Sequence, residues 1–104
     1  MPADEVVARF RQIGGFLNIV ADAAEIWKKK GRAQITFHDP LAAAVVFQPD
    51  LCEYLSGRVE IELKSDRLAG ASLFDQNTPE KNHHIAHRVN PAAFFDHYFN
   101  TIAR

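Results

Sequence analysis

The chain holds one cysteine, one methionine and one tryptophan, and its longest unbroken apolar run is the short stretch Leu41 to Phe47. A lone Cys52 excludes an intrachain disulfide, and no CxxC or Cys/His metal spacing accompanies it. It reads as a small hydrophobe near a helix end. The apolar run falls far short of the roughly 20 residues that a bilayer requires, so no membrane partner is expected. The opening "MPADEVVARF" is acidic rather than signal-like, which makes a cytoplasmic location the default expectation. An excess of either charge is missing too: 12 basic residues face 13 acidic ones, for a formal charge of −1. Such a balance gives no global field to recruit nucleic acid. Internal repeats, linkers and low-complexity segments are likewise absent.

What remains is a chain of 104 residues, 47% apolar and 11% aromatic with eight Phe, which is the composition of a folded protein. At this length a single domain spanning 1–104 is expected, with a thin core. Val6, Phe10, Ile13, Leu17, Val20, Ala24 and Trp27 recur at alternating steps of four and three, which traces one helical face. Gly14-Gly15 interrupts it, so the spacing predicts two helices, near 3–13 and 16–30. The second ends in Lys28-Lys29-Lys30-Gly31, cations that complement a helix dipole followed by a glycine suited to the C′ position. No aromatic stacking platform is interleaved with this cluster, which argues against nucleic-acid binding there.

After an extended link, Gln34 to His38, Asp39-Pro40 reads as a cap followed by the first helical residue, and the helix runs to Phe47 or Gln48 ahead of Pro49. Its sequence, "LAAAVVF", is apolar almost all round and asks for burial on more than one face. Residues 50–55 read as a further helical turn. Val59, Ile61 and Leu63 then alternate with charged residues, the mark of a half-buried strand. Further strands at about 70–76 and 83–89 follow, separated by the loop "DQNTPEKN", and short connections imply antiparallel pairing. Asn90-Pro91 starts a last helix carrying Phe94, Phe95, Tyr98, Phe99 and Ile102 on one stripe. The order is α+β: N-terminal helices, a short antiparallel three-stranded sheet and a C-terminal helix. His83 and His87 fall on one strand face and His84 on the other, a poor arrangement for three metal ligands.

Side by side where a helix begins, His38 and Asp39 raise the question of chemistry, since capping accounts for the aspartate alone. The ordered set "FHDPLAAAVVFQPDL", "RVEIELKSDRLAGASLFD" and "HRVNPAAFFDHYF" resembles the C-terminal third of the inosine-uridine-preferring nucleoside hydrolases, over nearly the whole chain. The resemblance implies that these elements are equivalent to the C-terminal part of that family's α/β fold. It implies that Asp39 is a calcium ligand and that His38 is the acid that protonates the departing base. Trp27, near the end of the preceding helix, lies where the family often places aromatics that close over the base, although it also continues the apolar face. These roles make physical sense: calcium takes carboxylate oxygens, and an imidazole supplies a proton near neutral pH.

The family's cage is built mainly by an aspartate cluster of the form DxDPGxDD, which this sequence does not contain. Calcium wants six to eight oxygens, and one carboxylate supplies at most two. The isolated chain is therefore expected neither to hold calcium tightly nor to hydrolyse nucleosides at a useful rate, and to be a homo-oligomer or the partner of a complementary N-terminal fragment. The alternative is a non-catalytic oligomerisation or binding module derived from the same family.

Overall fold

The two glycines do break the first apolar stripe: in the computed structural model, which describes all 104 residues, Gly14 and Gly15 adopt φ of 76° and 58°. L-residues with side chains rarely enter that region. Helix α1 (Ala3–Ile13) therefore ends there and α2 (Leu17–Lys29) folds back along it. Arg11 pairs with Asp22 and Glu25, and Lys28 with Asp4, which fixes the pair antiparallel. Asp4 and Glu5 lie in the first turn of α1 and Lys28 and Lys29 in the last turn of α2, each favourable to its helix dipole.

The link after α2 is not free. Ala3 donates its N–H to the Ala33 carbonyl at 2.9 Å and Ile35 donates to Met1 at 3.0 Å, so Pro2 and Gln34 form an isolated antiparallel bridge. Helix α3 spans His38–Phe47. The expected cap at Asp39 needs correction. Phe37 occupies the cap position without a side-chain hydrogen bond, the Leu41 N–H closes the first turn on the Phe37 carbonyl at 2.9 Å, and Asp39 sits inside that turn. The reason is tertiary: the Phe37 ring is clamped by four aromatic rings of the last helix, so the chain is already turned when it reaches His38. Pro40 falls within the first turn, where its missing N–H has no helical partner to lose.

The reading of 50–55 as helical also needs correction. Only Pro49–Leu51 forms a 3-10 turn, and strand β1 runs Cys52–Ile61. Cys52 to Gly57 pair with β3 (His83–Val89), and Arg58 to Ile61 pair with β2 (Ser72–Asp75), in the antiparallel order β2-β1-β3. Half of β1 is thus specified by a partner some thirty positions away, beyond the reach of local periodicity. Val59 N–H finds His83 Nδ1 at 3.1 Å where β1 changes partner. Helix α4 (Pro91–Ile102) starts as expected, with the Asn90 side chain accepting from Ala93 N–H at 3.1 Å and Pro91 in the first turn.

The core is small and lies among the helices: Val6, Phe10, Ala21 and Phe99 form one buried cluster, with Leu17, Val20, Ile35, Phe37 and Tyr98 packed against it. Burial of α3, expected on several faces, is not found. None of its residues is buried, and Val46 and Phe47 are 73% and 87% exposed. The chain is correspondingly extended, with a radius of gyration of 18.1 Å against about 13 Å for a compact chain of this length.

Candidate functional site

Phe37 organises the region around the His-Asp pair. Its ring meets Tyr98 at 5.2 Å, Phe95 at 5.3 Å, Phe94 at 6.3 Å and Phe99 at 6.4 Å, all edge-on. Edge-to-face packing at such distances is the favourable arrangement for aromatic quadrupoles. The consequence is positional, because the residue after Phe37 leaves this cluster in a fixed direction. That residue is His38, and it lines a recess of about 220 Å³ with Met1, Ile35, Leu41, Val89 and Phe95. Its imidazole is solvent-exposed at the mouth of a mostly apolar hollow.

Trp27 lies elsewhere. It borders a second recess of about 400 Å³ with Phe10, Val20, Pro40 and Tyr98. The two hollows share Ile35, Thr36 and Phe37, so the link divides them. The structure therefore brings His38 and Asp39 together at the start of α3 but sets Trp27 in the neighbouring hollow. Trp27 remains 43% exposed, its Nε1–H donates to the Gln34 carbonyl at 3.2 Å, and the Arg32 guanidinium stacks 4.4 Å from its ring centre. One face of the indole is thus already engaged by a cation.

Asp39 is exposed, and no group of three or more His, Cys, Asp or Glu side chains converges anywhere in the chain. These residues do not fit a calcium ion, which takes six to eight oxygens. Tyr98, which faces Phe37 and the Trp27 hollow, has its phenol pushed up by burial. Sequence reasoning did not single out Phe37 or Arg32. Phe37 carried a signal, the alternation Ile35-Thr36-Phe37 that places two apolar side chains on one side of the extended link. Arg32 carried none beyond its place in the basic cluster.

The family model for inosine-uridine preferring nucleoside hydrolase matches residues 2–96, so this chain belongs to that family. No curated protein and no solved structure matches it. No helix is long and apolar enough to cross a membrane.

Proposed function

We propose that this chain supplies the leaving-group side of a nucleoside hydrolase site that another polypeptide completes. His38 is the general acid. As the bond between the ribose anomeric carbon and the base nitrogen breaks, its electron pair goes to the nitrogen, and a proton from the imidazolium neutralises it. Water then adds to the anomeric carbon, losing its proton to a base from outside this chain. An exposed imidazole at the edge of an apolar hollow suits that task, since the base can leave water while the acid keeps exchanging protons with it. Trp27 offers its free face to the base from the adjoining hollow. Asp39 offers one carboxylate toward a calcium whose other donors come from the partner, and by itself is insufficient. The partner that completes the site is a complementary N-terminal fragment, since a second copy brings the same residues and no aspartate cluster; no nucleic acid, membrane or further cofactor is involved, and the location is cytoplasmic.

The match over residues 2–96, with the exposed His38-Asp39 pair inside it, carries this reading. Its test is ribose release from inosine and uridine. The chain alone is expected to be silent, to gain activity when mixed with a segment bearing the aspartate cluster, and to lose most of it as His38→Ala. Unchanged activity of that variant in the mixture overturns the acid role. A second reading, a non-catalytic binding module, is favoured by the bare faces of α2 and α3, where Phe16, Ile19, Val46 and Phe47 are each at least 65% exposed. It gains if the mixture stays silent.

A further inference from the structure

Each arginine on a helix or strand faces a carboxylate: Arg9, Arg11, Arg58 and Arg88 are all paired in this way. Arg32 is held without one. Its guanidinium stacks 4.4 Å from the centre of the Trp27 ring, and Trp27 is itself fixed by the bond from its Nε1–H to the Gln34 carbonyl. Stacking occupies the flat face of a guanidinium and leaves its edge, where the N–H donors form a planar fork, free to bind. No acid occurs between Glu25 and Asp39, and of Lys28, Lys29 and Lys30 only the first is matched, by Asp4. Lys29 and Lys30 offset the negative end of the α2 dipole, so the Arg32 charge is left for a ligand.

Trp27 also borders the hollow of about 400 Å³, whose other aromatic walls are Phe10, Phe37 and Tyr98; Arg32 stands outside it. That volume is within the range of a small-molecule site, and such walls suit a flat ring. We infer that the ligand taken here is a phosphorylated nucleoside, a 5′-mononucleotide, with its base in the aromatic hollow and its phosphate on the donor edge of Arg32. The inference rests on the proposed function for the stacking of the base on Trp27, and adds the substrate class.

The dimensions agree. A base stacked on the indole lies about 4.5 Å from it at closest, which sets base and guanidinium roughly 9 Å apart around the ring edge, the reach of one ribose and its phosphate. A stacked arginine binds phosphate through two parallel N–H bonds, which a neutral sugar hydroxyl does not match. One enclosed platform also selects a single nucleotide, since proteins that hold single strands stack successive bases on successive aromatics. Hydrolysis then breaks the same bond and adds the same water as proposed above, with ribose 5-phosphate leaving in place of ribose.

The test is titration of the full chain with inosine 5′-monophosphate and with inosine, followed by the fluorescence of Trp27, the only tryptophan. The nucleotide is expected to quench with a midpoint roughly ten- to a hundredfold below that of the nucleoside, an advantage that shrinks as salt rises. Arg32→Ala should remove this advantage, and Arg32→Lys should keep only part of it, because a point charge lacks the fork. Inorganic phosphate should compete with the nucleotide and not with inosine, which gives the same discrimination should a variant fail to fold. Equal midpoints, or an advantage that survives in folded Arg32→Ala, overturn the phosphate contact. Quenching by neither ligand overturns the site and the Trp27 contact with the base. A single-stranded oligoinosine held more tightly than the mononucleotide assigns the fork to nucleic acid and overturns the inference too. Ribose release from inosine by the complemented mixture needs no phosphate, so the acid role of His38 stands or falls separately.

Discussion

Replacing Phe37 by Ala should remove the clamp that orients His38. An aromatic side chain buries about 150–250 Å² when fully enclosed, and Phe37 is half-buried. Losing on the order of 100 Å² at ~25 cal/mol/Å² amounts to about 2.5 kcal/mol. The four edge-on contacts add to this, although their neighbours can partly close around the gap, so a total near 3 kcal/mol is expected. Phe37→Leu keeps most of the apolar area and loses the ring geometry, for about 1 kcal/mol. Urea denaturation followed by circular dichroism and Trp27 fluorescence measures both, and in a thermal melt the Ala variant should fall by roughly 12–24 °C. The consequence extends to chemistry: both variants should impair complemented ribose release more than their folded fraction explains, since the acid loses its fixed direction. A Phe37→Ala change below about 0.5 kcal/mol would refute the idea that this ring holds the site together.

Other substitutions address other parts of the fold. Gly57 is buried under the Phe74 ring, and a Cβ placed there would lie 2.7 Å from that ring and closer still to the Asp75 carbonyl. Gly57→Ala should therefore cost about 1–3 kcal/mol by prising β2 from β1, seen as lost amide protection at Arg58 to Ile61 in hydrogen exchange. Asn90→Ala removes the cap on Ala93 N–H and should cost about 1 kcal/mol in the same denaturation assay, with Asn90→Asp close to wild type. Tyr98 and Tyr54 both have phenols pushed up by burial. The folded state thus favours their neutral form. That contribution is complete below the unfolded value of 10.0 and is lost as pH rises through the folded ones, so the tyrosinate band should appear at higher pH in buffer than in urea. Glu62 shows the opposite sign. Its carboxylate accepts the Lys64 and Ser65 N–H groups at 2.6 and 3.0 Å, which holds its pKa down, so the 62–65 turn gains stability above the unfolded value and loses it as pH falls through the lower folded one. Glu62→Gln should flatten that acid limb.

Local signals carried the helices far and the sheet only in part. The four-and-three spacing from Val6 to Trp27 and the glycine pair placed α1 and α2 within a residue of their bounds, because both are short-range instructions. Asn90-Pro91 worked for the same reason. Cys52 to Gly57 failed the local test because their strand character comes from pairing with β3, a contact that no window around them contains. Asp39 misled for a related cause: a tertiary clamp on Phe37 overrode a good cap sequence and began the helix two residues early. The His38-Asp39 pair was legible as a motif, and its family assignment rests on the order of elements around it. The division of the Trp27 and His38 hollows by the link was not legible, since it depends on Met1 and Ala3 reaching across to Ile35 and Ala33.

Exposure of α3 and the absence of a carboxylate cluster around Asp39 both bear on the proposal that another polypeptide completes the site. A calorimetric titration of the isolated chain with calcium chloride tests it most directly. Only the heat of dilution is expected at every ratio. Saturable one-to-one binding that Asp39→Asn abolishes would contradict it.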